Sequence, residues 1–138
     1  MFQETWQLDL GWDDDLPAEL EHRWKEWKTD LQKLEALTVP RCLHPFENVS
    51  RQEIHVFSDA SESAYTAAVY VVSQQGDTRA SKLAMSRARV TPKSRKVSIQ
   101  RLELMGALLG ARLVKKVCKM MDIPMAEVFF WSDSVNVL

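Results

Sequence analysis

The segment HVFSDASESAYTAAVYVV, residues 55–72, constrains the fold of this chain more than any other part of it. Its β-branched and aromatic residues, with the turn-forming QQGD that follows, predict three hairpin-connected strands, which cover 54–59, 64–73 and 78–88. Asp59 ends the first of these apolar strands. Because an ionised carboxylate in apolar surroundings needs a partner, a hydrogen bond or a metal, Asp59 either begins a turn or holds a ligand.

The sequence after the third strand predicts one long helix and one further strand. RLELMGALLGARLVKKVCKMM predicts a helix over 101–121, and VFFW predicts a short buried strand over 128–131. The SDS that follows is typical of a helix start. The resulting order, β-β-β-α-β with the start of another helix, predicts an α/β fold built on a mixed sheet.

An acidic segment with a tryptophan-bearing helix precedes these strands. Apolar residues recur every three or four positions from Leu16 to Leu37, which predicts an amphipathic helix over 16–37. Its two tryptophans, Trp24 and Trp27, belong either to a core, which we favour, or to a groove for a partner. A proline-containing loop follows, so we expect a connection segment over 1–50 and a second domain over 51–138.

The charge of the chain is unevenly distributed, although the formal net charge is only −1. Residues 1–38 carry ten acids and four bases, whereas residues 79–101 carry eight bases and no acid. Such a basic stretch favours contact with a polyanion such as nucleic acid, the alternative being a solvated surface. The residues that we expect to make this contact are Arg87, Arg89, Lys93 and Lys96.

Cysteine and hydropathy patterns limit the cellular setting. The two cysteines, Cys42 and Cys118, lie 76 residues apart with no CxxC motif, which fits a reducing compartment and excludes a disulfide framework. We find no secretory leader and no apolar run of the roughly 18 residues that a membrane span requires. We therefore expect an intracellular protein, in cytoplasm or nucleus, with no membrane partner.

Two further carboxylates occupy positions that pair naturally with Asp59. Glu103 lies in the first turn of the long helix, on the face that carries Gly106 and Gly110, where close approach to the sheet is expected. Asp133 directly follows the VFFW strand, at the kind of strand end where α/β sheets bind ligands. Taken singly, Glu103 could serve only the helix dipole and Asp133 only as an N-cap. Taken together, three clustered carboxylates require cations, and oxygen ligands select Mg²⁺ or Mn²⁺.

An ordered series of motifs runs along nearly the whole chain, namely LGWDDDLPAEL, VPRC, HVFSDASESAYTAAVY, MSRARVTP, RLELMGALLGARLVKKV and FFWSDSVNVL. In these motifs the chain resembles the ribonuclease H-like region of Pol polyproteins from Pao/BEL-type LTR retrotransposons, together with the segment that connects this region to the reverse transcriptase.

The resemblance implies a function and a role for each carboxylate. It makes Asp59, Glu103 and Asp133 the catalytic and metal-binding acids of a ribonuclease H site that hydrolyses RNA in RNA–DNA hybrids with Mg²⁺ or Mn²⁺. It also implies the reverse transcriptase portion of the parent polyprotein as a partner. The family's fourth acid, last strand and C-terminal helices lie beyond Leu138. We therefore expect an RNase H-like domain that is C-terminally truncated and weak or inactive in hydrolysis.

Two other functions remain open on the sequence alone. One is a catalytically inactive module that binds nucleic acid through the basic stretch. The other is a protein-interaction module built on the acidic tryptophan helix. Dependence on a metal separates the enzyme from both alternatives. Salt-sensitive binding of a hybrid separates the nucleic-acid-binding module from the protein-interaction module.

Overall fold

The computed structural model describes residues 1–92 and 96–137 and divides the chain into two compact units, Met1–Val39 and Pro40–Leu138. Residues 40–50, which the sequence assigned to the connection segment, are grouped with the second unit. The division into a connection segment and an RNase H-like domain stays a prediction. Within the described residues, none of the helices is long and apolar enough to cross a membrane.

The first unit consists of two helices. Helix α1 spans Phe2–Gln7 and helix α2 spans Ala18–Leu31, after which the chain tightens into a 3₁₀ turn over Gln32–Ala36. The proline before α2, Pro17, has a φ of −51° and its carbonyl accepts the first helical hydrogen bond, from Glu21. The predicted helix over 16–37 is thus present, and its last turn is 3₁₀.

The expectation that the tryptophan stripe of α2 forms a core is wrong. Trp24 and Trp27 stack on each other, with ring centroids 5.0 Å apart, and Phe2 meets Trp24 edge-on at 6.2 Å. In residues 1–39, all of which are described, Leu20 is the only buried side chain. The physical reason is size, because α1 is too short to cover a stripe that runs along the whole of α2.

The second unit contains a four-stranded sheet and one long helix. The strands are β1 (Arg51–Ala60), β2 (Ala64–Gln75), β3 (Thr78–Val90) and β4 (Val128–Trp131), and the helix α3 spans Ile99–Met121. The sheet order is β3-β2-β1-β4, in which β1 is antiparallel to β2 and parallel to β4. The predicted α/β fold with a mixed sheet is therefore confirmed.

The bounds of the long helix and the position of the turn after β4 agree closely with those predicted from the sequence. Helix α3 begins two residues before the predicted Arg101 and ends at Met121, where Asp122 takes the left-handed conformation. After β4 the described chain makes one turn over 135–137, closed by a hydrogen bond from the Val137 N–H to the Ser134 carbonyl. This turn is where the sequence predicted the start of another helix.

The core lies between one face of the sheet and α3. It contains the fully buried side chains of β1 and β2 and the apolar stripe of the helix, with Ile54, Val56, Val69, Val71, Leu113, Val114 and Val117 at its centre. A Cβ at Gly106 would lie 3.2 Å from the Asp59 carbonyl oxygen, and one at Gly110 would lie 2.9 Å from Val56. The predicted close approach of α3 to the sheet is therefore present, at the end of β1.

Candidate active site

Asp59 and Asp133 are brought together by the parallel pairing of β1 with β4. The last pair between β1 and β4 joins Phe57 to Trp131, and each aspartate lies two residues after its strand's member of that pair. Both aspartates line one open pocket of about 360 Å³. The remaining residues of its wall are Phe57, Ser58, Thr66, Ala68, Trp131 and Ser132. The carboxyl ends of two adjacent parallel strands thus present two carboxylates to one space, as α/β sheets commonly do at ligand sites.

Asp59 is exposed, so apolar surroundings are not what calls for a partner at this position. By the alternation of a strand it shares the face of Phe57, on the side of the sheet away from α3. Its Oδ1 accepts a hydrogen bond of 2.7 Å from the N–H of Ala60, at the turn between β1 and β2. Asp59 nevertheless lies within β1, paired with Thr66 of β2, and the connection to β2 covers only residues 61–63. It therefore lines the pocket and does not begin the turn.

The local capping of the chain after β4 is done by serines. The N–H of Ser134 donates to Ser132 Oγ at 3.2 Å, and the N–H of Asn136 donates to Ser134 Oγ at 3.3 Å. These hydroxyls accept hydrogen bonds from backbone N–H groups, which is the role that an N-cap carboxylate would otherwise have. The carboxylate of Asp133, exposed at the pocket wall, is thus not required as the cap.

Glu103 is tied to the same segment through a buried hydroxyl. Ser134 Oγ donates to Glu103 Oε2 at 2.6 Å, and Asn136 Nδ2 donates to the same oxygen at 3.3 Å. Ser134 is only 5% exposed, so this charge-assisted bond is shielded from water. The glutamate lies one turn before Gly106, where α3 touches the end of β1, and it therefore reaches the carboxyl edge of the sheet from the α3 side.

Asp59 and Asp133 lie on the face of the sheet away from α3, whereas Glu103 lies on the α3 side of the same edge, so the three carboxylates do not form a set of ligands. Asp59 and Asp133 share a pocket, whereas Glu103 is bonded to the residue after Asp133 and is not part of that pocket wall. Among residues 1–92 and 96–137, no group of three or more His, Cys, Asp or Glu side chains is close enough to hold a metal ion. The donor chemistry, all carboxylate oxygen, fits a hard divalent cation.

An aromatic ladder supports the pocket wall, and the sequence analysis missed it. Trp131 lies nearly parallel to both His55 and Phe57, at centroid distances of 5.9 and 6.2 Å. Trp131 Nε1 also donates to His55 Nδ1 at 2.9 Å, and the other ring nitrogen of His55 lies 3.3 Å from Glu53 Oε2. Alternate positions on β1 and β4 carry these rings, so strand alternation was the available signal.

The predicted nucleic-acid-binding residues divide between the described chain and its gap. Arg87 and Arg89 lie on β3 and line a second pocket, of about 600 Å³, between this strand and α3. Lys96 is exposed and is not among the residues that line the pocket, and Lys93 lies outside the described residues. The sequence analysis missed three cations of α3 that share this pocket, namely Arg112, Lys115 and Lys116. Their spacing along a helix was the signal available for them.

The mixed sheet of order β3-β2-β1-β4 with one crossing helix is consistent with the class of RNase H-like domains. The chain matches the family of Pao retrotransposon-like RNaseH-like domains over residues 1–134. It therefore belongs to that family, and the match includes the acidic first unit as well as the sheet. Neither a curated protein nor a solved structure matches the chain significantly.

Proposed function

We propose that this chain carries the active-site edge of an enzyme that hydrolyses the RNA strand of RNA–DNA hybrids with Mg²⁺ or Mn²⁺. The observation that carries the proposal is that Asp59 and Asp133 each lie two residues beyond the last pair between β1 and β4 and line one pocket. Membership of the RNaseH-like family supports the choice of nucleic acid as the substrate class. Carboxylate-held divalent cations are the usual means of phosphodiester hydrolysis at such sites.

Each residue has a defined role in this proposal. Asp59 and Asp133 hold the cation from the two strand ends, and Glu103 completes the set from α3. Ser134 is a positioning residue, because its hydroxyl donates to one oxygen of Glu103 and holds that side chain beside the segment after β4. The chemistry that a cation supplies when bound is neutralisation of the phosphoryl charge and polarisation of the attacking water.

The number of carboxylates limits the activity that we propose for these 138 residues. Two-ion hydrolysis requires cations held roughly 4 Å apart, each with its own ligands. Three carboxylates suit one cation well and leave a second cation short of ligands. We therefore propose weak metal binding and slow or absent cleavage for this stretch of chain, and full activity for an enzyme with a fourth acid at the same edge.

Cleavage of a labelled RNA–DNA hybrid in Mn²⁺, at protein in excess over substrate, tests this function. We expect slow or no cleavage, and any cleavage should require Mn²⁺ and disappear in Asp59→Asn. Asp77→Asn removes an equally exposed acid from the β2–β3 turn and should leave cleavage unchanged. Cleavage that persists in EDTA or in Asp59→Asn would contradict the proposal. Fast turnover abolished in Asp59→Asn would contradict the limit set by three carboxylates.

A second candidate function is nucleic-acid binding without cleavage. The observation in its favour is the basic pocket between β3 and α3, which contains five cations. Binding of a hybrid with no Mn²⁺ binding at all would support this candidate. A protein-interaction role, with the reverse transcriptase portion of the parent polyprotein as partner, is favoured by the exposed apolar stripe of α2, where Trp27 is 43% exposed.

A further inference from the structure

We infer that the pocket between β3 and α3 binds the phosphate backbone of the hybrid several base steps away from the carboxylates. This pocket, here called the basic groove, is lined by cations from two separate elements. They are Arg87 and Arg89 of β3 and Arg112, Lys115 and Lys116 of α3. The inference deepens the proposed function, because it rests on a hybrid as the substrate and assigns it a second contact surface.

The cations of the basic groove have no acidic partner among the residues that the structure describes. None of the described residues that line it is acidic, and none of the five cations forms an ion pair with a carboxylate in the described parts of the chain. All five side chains are exposed. Unpaired cations converging on one concave surface favour a polyanion, whose bound counterions are released on binding.

The floor of the basic groove explains why the cations converge. Arg87 is paired with Ala67 across β2 and β3, and Ala67 faces Gly110 of α3, so this arginine lies on the helix side of the sheet. Leu109 and Leu113 of α3 are buried beneath the groove. The helix cations at 112 and 116 stand one turn apart on the same face. Two rows of cations therefore flank an apolar floor, as the long stems of Arg and Lys allow.

The basic groove begins near the carboxylates. Tyr65 lines it, and this residue is paired with Ala60, the neighbour of Asp59, on one side and with Arg89 on the other. Strands are spaced roughly 4.8 Å apart, which puts the Arg89 backbone roughly 10 Å from that of Ala60. Arg89 therefore lies near the same end of the sheet as Asp59, with its side chain on the α3 face and that of Asp59 on the opposite face.

The groove then extends along α3, away from Glu103. With a rise of about 1.5 Å per residue, Arg112 lies roughly 14 Å and Lys116 roughly 20 Å from Glu103 along the helix axis. One base step advances a nucleic-acid strand by about 3.4 Å. These helix cations are therefore placed to contact phosphates roughly four to six base steps from the site of cleavage.

The test is binding of a fluorescent RNA–DNA hybrid in EDTA, so that no cleavage intervenes. Arg112→Glu/Lys116→Glu is compared with Arg41→Glu/Lys119→Glu, which makes the same change in charge at exposed positions that do not line the groove. We expect the groove variant to lose at least tenfold in affinity relative to the control. Its salt dependence, as the slope of log K against log salt, should fall by about two. Thermal unfolding must show that both variants are folded.

Hybrid length provides the second readout. Lengthening the duplex from about 6 to 18 base pairs should improve the affinity of the control more than that of the groove variant, because only the long duplex reaches Lys116. Equal affinities for the two variants would overturn the inference while leaving metal-dependent cleavage, and so the proposed function, intact. Polyglutamate that displaces the hybrid at matched charge would also overturn it, since the groove would then fit an acidic protein.

Discussion

At the scale of single residues, Ser134 links the segment after β4 to Glu103 of α3. The sequence SDS allowed Asp133 to be read as an N-cap, but the structure gives the capping to Ser132 and Ser134. The hydroxyl of Ser134 also donates a hydrogen bond to Oε2 of Glu103. One buried hydroxyl thus both closes the turn after β4 and links that turn to α3.

The reactivity of the two cysteine thiols tests whether Cys118 is buried in the folded chain. Its thiol is buried against the core and lies 3.5 Å from the sulfur of Met125, and burial raises the pKa of this thiol. Cys42 is exposed. We expect one fast thiol per folded chain in titration with a chromogenic disulfide, and none in Cys42→Ser until denaturant is added, because only the thiolate reacts. A fast reaction in folded Cys42→Ser would contradict the packing.

The raised pKa of Cys118 also has a consequence for stability. The folded state holds the thiol proton more tightly than the unfolded state, so this contribution is fully present below the unfolded pKa and is lost as the pH rises through the folded value. With an ordinary value of 9.0, the loss begins above about pH 9. Cys118→Ala should show a smaller decrease in the free energy of unfolding over that range.

At the scale of elements, the contact between α3 and β1 fixes the site. A Cβ at Gly110 would meet Val56 Cγ1 at 2.9 Å, and the stiff, fully buried valine has little room to move. Overpacking costs about 1–3 kcal/mol, against about 1 kcal/mol gained in helix propensity, so we expect Gly110→Ala to destabilise the fold.

Denaturant unfolding of a double-mutant cycle measures this contact. Val56→Ala removes the atom that clashes, so Gly110→Ala should cost less, or become favourable, in the Val56→Ala background. The reverse change at an exposed position, Ala111→Gly, gives the propensity term alone. Strict additivity of the two substitutions would show that the helix does not approach the sheet as closely as described.

The sequence predicted the elements of the second unit well, because each had a strong local signal. Alternation, the QQGD turn and the apolar helix stripe agree with one another, so the strands and α3 were placed within a few residues. The burial expected for the VFFW strand was wrong, since Phe130 and Trp131 of β4 are 52% and 51% exposed. The core around Trp24 was predicted wrongly, since periodicity shows that a stripe exists and cannot show what covers it. The fate of such a stripe depends on partners distant in sequence.

The same distinction applies to the candidate site. Asp59 and Asp133 could be brought together from the order of strands alone, because a crossover places parallel strand ends at one edge. The role of Ser134 and the participation of Arg112 in the basic groove depend on tertiary packing. Neither has a local pattern that separates it from an ordinary surface residue.

At the scale of the whole molecule, the candidate metal-binding carboxylates and the basic groove lie toward the same end of the second unit. The carboxylates occupy the carboxyl edge of β1 and β4, and the basic groove opens beside the same end of the sheet on the α3 side. The pocket that contains Asp59 and Asp133 and the basic groove thus lie toward one end of the sheet, on opposite faces of it. The family match, which spans residues 1–134, includes both.

The most direct test of this account is Mn²⁺ binding to the 138-residue chain, measured by titration calorimetry in the absence of nucleic acid. We predict one weakly bound ion, with affinity reduced at least tenfold in each of Asp59→Asn, Glu103→Gln and Asp133→Asn, because each removes one charged ligand. Asp77→Asn should bind as the parent chain does. Unchanged binding in any of the three variants, or an equal loss in Asp77→Asn, would contradict a shared metal site at the carboxyl edge.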